Sequence, residues 1–168
     1  MAKRMRTTMA LIAATLLAVT LEASALPTAG APAPDFALKN SAGKNLRLSE
    51  LRGEVVLLNF WATWCGPCRQ ELPHLDKIHG QYRNAGLTVL AINIDNDRVN
   101  AEAMLQKLGV RVPTLYDADK RVSKLYEVDA MPATVIIDRD GRVRYVHRGY
   151  RVGFEQKYEQ QVRELLRQ

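Results

Sequence analysis

The pattern of apolar and polar residues along the chain predicts both strands and helices. Near-continuous apolar runs over Val55 to Trp61 and Thr88 to Ile94 are typical of strands buried on both faces of a parallel or mixed sheet. Shorter apolar segments over Ala133 to Ile137 and Arg142 to Arg148 flank Asp138 to Gly141, whose glycine favours a tight hairpin turn. These four segments predict strands of one mixed sheet, with Val55 to Trp61 at its centre.

Helical spacing of apolar residues predicts three longer helices. The first runs from Pro67 to about Arg83, and Pro73 is expected to bend or restart it. The second runs from about Asn100 to Leu108, and the third, with one continuous apolar stripe, from about Phe154 to Leu166. The order of strands and helices predicts an α/β domain with three layers, in which helices cover both faces of a mixed sheet.

The sequence also predicts the capping residue and the buried side of the second helix. Asn96 or Asp97 is expected to cap its first turn, and Ala103, Met104 and Leu108 are expected to point inward.

Smaller elements complete the predicted domain. Alternating apolar residues over Phe36 to Leu48, on either side of a glycine-containing turn, predict an N-terminal hairpin. Thr114 to Tyr116 leaves room for a short extended piece, and Asp117 or Asp119 is expected to cap a brief helix that runs through Tyr126.

The start of the chain has the order of a secretory signal peptide. Basic residues precede an uncharged run over Met9 to Leu21, and Ala23-Ser24-Ala25 provides small residues for cleavage. Because Glu22 ends the run before the roughly 20 apolar residues that span a bilayer, a cleaved signal is favoured over an uncleaved anchor. We therefore expect a signal peptide over 1–25, a flexible tether rich in Pro and Ala over 26–34, and a folded domain over 35–168 that is exported to the periplasm.

Composition narrows the class of protein further. The chain has 168 residues, of which 47% are hydrophobic and 25% charged, which excludes a disordered or collagenous chain. Its formal net charge of +6 suits a solvated basic surface, and export makes a nucleic-acid partner unexpected.

The two cysteines, Cys65 and Cys68, form a C-x-x-C motif between a predicted buried strand and a predicted helix. The free amides and the positive end of the dipole at a helix N-terminus favour the thiolate of Cys65. Pro67 suits the first turn because its missing N–H has no intrahelical partner there. We predict thiol-disulfide exchange in which Cys65 attacks a substrate disulfide and Cys68 resolves the mixed disulfide, with no metal or organic cofactor.

Three other interpretations of the cysteine pair stay open at this point. A structural disulfide would close a very small loop, so chain entropy gives it only about 2 kcal/mol, against about 4.7 kcal/mol for a loop of roughly 100 residues. A zinc site would need two further ligands, for which His74 and His79 are the nearby histidines. A copper site would use both thiols and a histidine such as His147.

The segment Asn59 to Arg69 (NFWATWCGPCR), followed by Glu71-Leu72-Pro73, resembles the active-site block of exported TlpA/ResA/DsbE-like thiol-disulfide oxidoreductases of the thioredoxin superfamily. A second match runs from Tyr126 to Thr134. The similarity covers roughly residues 34 to 166 and implies a thioredoxin-like fold, in which residues 92 to 116 form the extra strand and helix typical of this group.

The resemblance also implies roles for residues around the cysteines. Pro132 is expected to follow a cis peptide bond and to face the cysteine pair. The backbone of Met131 is then expected to pair with an extended substrate, while Trp64, Gly66 and Pro67 border the substrate-binding site.

A proton acceptor for Cys68 is less obvious. Cytosolic thioredoxins carry a buried aspartate where this chain has Asn59, so that position cannot be assumed to supply one. Glu71, three residues after Cys68, is the alternative candidate, because an acid commonly stands there in the resembling family. It is equally compatible with an ordinary exposed helix carboxylate, and both interpretations stay open.

The Gly-Pro dipeptide between the cysteines is that of reducing thioredoxins, whose potential is about −270 mV, and it predicts a reductant. The resemblance implies a membrane thiol-disulfide carrier as electron donor and an oxidised client, such as apocytochrome c or a copper-site protein. We expect a monomer. A disulfide donor or isomerase, and a copper-binding or copper-delivery module that uses the same thiols, are the alternatives. A peroxidase is disfavoured, because Trp61 to Trp64 does not provide the Pro-x-x-x-Thr approach of such enzymes.

Overall fold

The structure, a computed structural model, describes residues 28–168, so the predicted signal peptide and the first two tether residues lie outside the described residues. Within that range the chain forms seven strands and four α-helices. The strands are β1 (Ala37–Asn40), β2 (Asn45–Arg47), β3 (Val55–Trp61), β4 (Leu87–Asn93), β5 (Thr114–Tyr116), β6 (Ala133–Ile137) and β7 (Val143–Arg148). The helices are α1 (Gly66–Tyr82), α2 (Arg98–Leu108), α3 (Arg121–Leu125) and α4 (Phe154–Leu166).

The strands form one mixed sheet in the order β2-β1-β5-β4-β3-β6-β7. The central strand β3 is buried at every position, pairs in parallel with β4 and pairs antiparallel with β6. β5 continues the parallel part, while the β1–β2 hairpin and β7 add antiparallel strands at the two edges. The predictions of a buried central strand and a mixed sheet are confirmed.

The two faces of the sheet are covered by different elements. Successive side chains of a strand point to opposite faces, so Asn59 and Phe60 of β3 meet different partners. Asn59 bonds to a residue of α1, which also packs against α4. On the other face, Phe60 packs against Tyr126, just after α3, with ring centroids 5.5 Å apart, and Phe36 packs edge-on against the same tyrosine. The predicted three-layer α/β architecture is confirmed.

Helix α1 is continuous through Pro73, so the predicted restart does not occur. Pro73 is exposed, which places its ring on the solvent side of the helix. The opposite side is anchored by the buried side chains of Leu72, Leu75 and Ile78, and this packing holds the helix together across the missing backbone hydrogen bond.

The predicted inward face of α2 is wrong at Ala103, which is exposed, while Met104 and Leu108 are only partly buried. The buried residues are Ala101 and Leu105. They lie on the same side of the helix as Arg98, its first residue. The guanidinium of Arg98 lies 4.9 Å from the ring centroid of Tyr116 in β5. This contact between a charged side chain and an aromatic ring lies on the same side of the helix as the buried residues, and a pattern of apolar residues does not predict it.

The predicted tether is too long, because part of it is attached to the sheet. Gly30 N donates to Val143 O at 2.7 Å, and Ala33 N donates to Gly141 O at 2.9 Å. Pro32 forms an isolated antiparallel bridge with Arg142, and Ala33 is buried. An edge strand leaves backbone groups unpaired, and this segment satisfies them at the start of β7, so the folded domain begins before residue 35.

Candidate active site

The cysteine pair lies at the beginning of α1. Cys65 is the N-cap residue, and its Sγ atom accepts a hydrogen bond from the backbone amide of Cys68 at 3.2 Å. The two residues form a disulfide with their Cα atoms 5.3 Å apart. Cys65 is 4% exposed and Cys68 is fully buried, so an incoming sulfur reaches Cys65 first. A thiolate at this N-cap would be stabilised by the same amide and by the helix dipole.

The loop before Cys65 is held from the neighbouring parallel strand. The backbone amide of Thr63 donates to Oδ2 of Asp95 at 2.9 Å, and its hydroxyl donates to Oδ1 at 3.2 Å. Asp95 follows β4 and also accepts from Nδ2 of Asn93 at 2.8 Å. The ends of β3 and β4 meet at one edge of the sheet, which brings this carboxylate under the loop. Sequence reasoning missed Asp95, although its position just after a buried strand was a usable signal.

The peptide bond between Met131 and Pro132 is cis, as the resemblance implied. β6 begins with the next residue, Ala133, which is paired with Phe60 near the end of β3. This register places Pro132 at the edge of the sheet from which the cysteine loop leaves. The carbonyl of Pro132 accepts from the amide of Gly149 at 2.7 Å, which ties it to the loop after β7.

A groove of about 750 Å³ lies along this edge and is lined by Trp64 and Met131 together with residues around α3. Trp64 is 67% exposed, so much of its ring is open to solvent at the rim of this groove. Gly66 and Pro67 do not line the groove. They form the first turn of α1, where Pro67 is exposed.

Glu71 is fully buried, so its interpretation as an exposed helix carboxylate is wrong. The hydroxyl groups of Tyr158 and Thr134 donate to its Oε1 atom at 2.8 and 3.1 Å. Nδ2 of Asn59 donates to its Oε2 atom at 2.7 Å. Three donors from β3, β6 and α4 thus converge on one carboxyl group, one helical turn after Cys68 on the same helix.

Burial raises the pKa of Glu71 from 4.5 to about 7, because the charged form is poorly solvated there. The hydrogen bonds from Tyr158, Asn59 and Thr134 stabilise the charged form and oppose that increase. The carboxyl group therefore exists in both protonation states near neutral pH. Residues separated by three positions share one side of a helix, and both Cys68 and Glu71 are buried there. The two side chains therefore lie on the same buried side of α1.

Sequence reasoning missed two partners of Glu71. In the sequence, Tyr158 is one residue of the apolar stripe of α4, and Thr134 belongs to a motif shared with the resembling family. Neither position indicates a contact with Glu71. Their hydroxyl groups come from residues 87 and 63 positions away along the chain. No local pattern joins them to Glu71.

The histidines considered as metal ligands lie in separate environments. His74 is exposed and stacks on Tyr150, and His79 is partly buried. Nε2 of His147 lies 2.8 Å from Oε1 of Gln161, and burial lowers the pKa of this histidine. Across residues 28–168, no three His, Cys, Asp or Glu side chains come together in a way that could hold a metal ion.

No helix within the described part of the chain is long and apolar enough to cross a membrane.

Comparison with known proteins agrees with the fold and the site. The Redoxin family model matches residues 28–162. The thiol-disulfide oxidoreductase ResA of Geobacillus thermodenitrificans is 36% identical over 120 residues, which cover 71% of this chain and 69% of the relative. ResA of Halalkalibacterium halodurans is 31% identical over 142 residues, covering 84% and 79%. A solved structure described as a thiol:disulfide interchange protein DsbE from Chlorobium tepidum has a TM-score of 0.80 and 37% identity, covering 84% of this chain and 99% of that one.

Fold, cysteine pair and relatives define one class of protein, the thiol-disulfide oxidoreductases with a thioredoxin-like fold. The chain belongs to the redoxin family, and within it the chain is similar to ResA thiol-disulfide oxidoreductases and to a DsbE thiol:disulfide interchange protein.

Proposed function

We propose that the protein is a periplasmic reductant that opens disulfide bonds in specific client proteins through Cys65 and Cys68. The observation that carries this proposal is the pairing of an N-cap cysteine with a fully buried cysteine one turn later. The Gly-Pro dipeptide between them supports the reducing direction, because reducing thioredoxins have the same dipeptide.

In the first step, the thiolate of reduced Cys65 attacks one sulfur of the client disulfide. A bond forms between Cys65 and that sulfur, the client S–S bond breaks, and the other client sulfur leaves as a thiolate that takes up a proton. Electrostatic stabilisation at the N-terminus of α1 favours the attacking thiolate.

In the second step, Cys68 loses its thiol proton and attacks Sγ of Cys65. The Cys65–Cys68 disulfide forms, the mixed disulfide breaks, and the second client sulfur leaves as a thiolate. Two electrons pass from the enzyme dithiol to the client. Glu71 is the acid/base for this step, because it is the buried carboxyl on the same side of α1 and its pKa of about 7 suits proton exchange near neutral pH.

The substrate is held beside the cysteines as an extended segment. Met131 precedes the first paired residue of β6, so its backbone lies outside the ladder and is able to pair with a client strand beside Pro132. Trp64 supplies an exposed aromatic surface at the rim of the groove. Gly66 and Pro67 contribute the backbone of the first turn on the other side of Cys65.

The names of the relatives support the choice of partners. ResA and DsbE proteins exchange disulfides, and we propose an oxidised client such as apocytochrome c or a copper-site protein, with a membrane thiol-disulfide carrier as donor. A signal peptide over residues 1–25 directs the chain to the periplasm, where the mature protein acts as a monomer without a cofactor.

A trapping experiment tests this function. Reduced Cys68→Ser is mixed with an oxidised client peptide that contains one disulfide, and the products are separated without reductant. The expected product is a stable mixed disulfide through Cys65, because the resolving thiol has been removed. Cys65→Ser is the matched control and should form no adduct. Equal adduct formation by both variants would contradict the assigned order of attack.

A further inference from the structure

Tyr158 contacts the buried carboxyl group of Glu71 through its hydroxyl group. It lies in α4, is fully buried, and places its hydroxyl 2.8 Å from Oε1 of Glu71. Its ring packs edge-on against His147 and Phe154, with centroid distances of 4.9 and 6.2 Å. The ring therefore has a fixed orientation, and the hydroxyl is aimed at Glu71 by packing of the whole helix.

The three donors to Glu71 are not equivalent. Oε2 receives one hydrogen bond from Asn59, whereas Oε1 receives two, from Thr134 and Tyr158. Asn59 also donates to Thr134, so these two residues form one connected unit on neighbouring strands. Tyr158 is the only donor of the three that comes from a helix. Its hydrogen bond thus joins α4 directly to the carboxyl group of Glu71.

We propose that Tyr158 is a positioning residue for the exchange reaction, whose hydroxyl holds the Glu71 carboxylate and sets the pH at which Glu71 accepts the proton of Cys68. This inference rests on the proposed role of Glu71. In the resolving step the Cys68 thiol proton moves to the Glu71 carboxylate, while the electron pair of the Cys68 thiolate forms the new S–S bond. Tyr158 donates a hydrogen bond throughout and releases no proton.

Charge and burial around the pair agree with this role. Burial, and then the neighbouring Glu71 carboxylate, raise the pKa of Tyr158 far above its ordinary value, so its hydroxyl stays a donor across the working pH range. The titratable groups that face the two residues are Cys68 from α1, His147 from β7 and Tyr150 from the loop after β7. Burial lowers the pKa of the histidine, so it is neutral at the pH at which Glu71 titrates.

Tyr158→Phe removes the hydroxyl and keeps the ring, and its effect is measured on two signals in the reduced full-length protein. The first is the infrared band of the protonated Glu71 carboxyl group, isolated by subtracting the spectrum of Glu71→Gln at each pH. The second is the pH profile of the rate with oxidised glutathione. Loss of a donor to a carboxylate disfavours its charged form, so both midpoints should move upward by about one pH unit.

Tyr145→Phe is the matched control. Its hydroxyl donates to Oε2 of Glu164 at 3.0 Å, so the variant also removes a tyrosine–glutamate contact to α4, on an exposed part of the helix. Both midpoints should stay at their wild-type values in this control.

Two outcomes separate this inference from the role on which it rests. Folded Tyr158→Phe with an unchanged Glu71 midpoint overturns the inference about Tyr158. A pH profile of Glu71→Gln identical to that of the wild type overturns the proposed role of Glu71 instead. If Tyr158→Phe does not fold, Thr134→Val removes the other donor to Oε1, and an unchanged carboxyl midpoint in that variant likewise contradicts control of Glu71 through Oε1.

Discussion

Nδ2 of Asn59 donates a hydrogen bond of 2.7 Å to Oε2 of Glu71, which joins the middle of the central strand to the first helix. Cytosolic thioredoxins carry a buried aspartate at the position of this asparagine. Here the strand supplies a neutral donor and the helix supplies the carboxyl group. Because only one of the two positions carries a charge, the site avoids placing two carboxylates side by side in a buried region.

The stability of the oxidised protein should fall as the pH rises through the window from 4.5 to about 7. In that window folded Glu71 keeps a proton that the unfolded chain has released, so the folded state loses relative stability until Glu71 ionises in both states. The total change is on the order of 3 kcal/mol. Urea unfolding of the wild type and Glu71→Gln at pH 4 and 8 measures it, because the variant lacks this ionisation.

Glu50 is exposed, so Glu50→Gln is the control for removal of a carboxyl group. Its free energy of unfolding should match that of the wild type at both pH values. If the difference between wild type and Glu71→Gln is the same at pH 4 and 8, Glu71 does not have a raised pKa.

Asn59→Asp should destabilise the protein at high pH more than at low pH. The substitution puts a second carboxyl group within hydrogen-bond distance of Glu71, and one of the two must stay protonated to avoid like-charge repulsion. We expect a loss of about 2 to 4 kcal/mol at pH 8 and a smaller loss at pH 4, where a protonated carboxyl can donate. Denaturant unfolding at the two pH values measures it. A loss that does not depend on pH would point to packing alone.

Asp95→Ala should weaken the loop that carries the cysteines. The carboxylate accepts from the amide and hydroxyl of Thr63, and its removal leaves a partly buried backbone donor without this partner. We expect a loss of about 1 to 3 kcal/mol in the free energy of unfolding and faster amide hydrogen exchange at Thr63. Asp97→Ala removes the exposed cap of α2 and is the control, because it should leave exchange at Thr63 unchanged.

Trp64→Ala should separate client recognition from chemistry. The side chain is 67% exposed, so its removal should change stability by no more than about 0.5 kcal/mol. The rate with a protein disulfide should fall by about tenfold or more, while the rate with oxidised glutathione stays near wild type. Val99→Ala, a similarly exposed position in α2, should leave both rates unchanged. An equal fall with both substrates would assign Trp64 to the chemistry of the cysteine pair.

Much of the fold follows from local patterns, because β3 and β4 are apolar at nearly every position. The burial of Glu71 also had a local signal. Cys68, Glu71, Leu72, Leu75 and Ile78 lie at helical spacing, so the glutamate falls on the apolar stripe of α1. A charged residue on a buried stripe is expected to form hydrogen bonds, but the spacing of the stripe does not identify the residues that donate them.

The remaining features depend on contacts between distant segments. The donors to Glu71 from β6 and α4 become neighbours only once the sheet and α4 have formed. The attachment of Ala33 beside β7 depends on an edge strand more than 100 residues later. A Pro- and Ala-rich composition predicts an extended tether but gives no information on whether a sheet edge is available to bind it.

The reduction potential of the Cys65/Cys68 pair tests the central claim, that the protein works as a reductant. The protein is equilibrated with defined thiol-disulfide buffers at pH 7, and the fraction of dithiol is read by alkylation and mass spectrometry. The account predicts a potential near or below about −250 mV, where the pair reduces the disulfides of its clients. A potential above about −180 mV would contradict it and would make the protein a disulfide donor or isomerase.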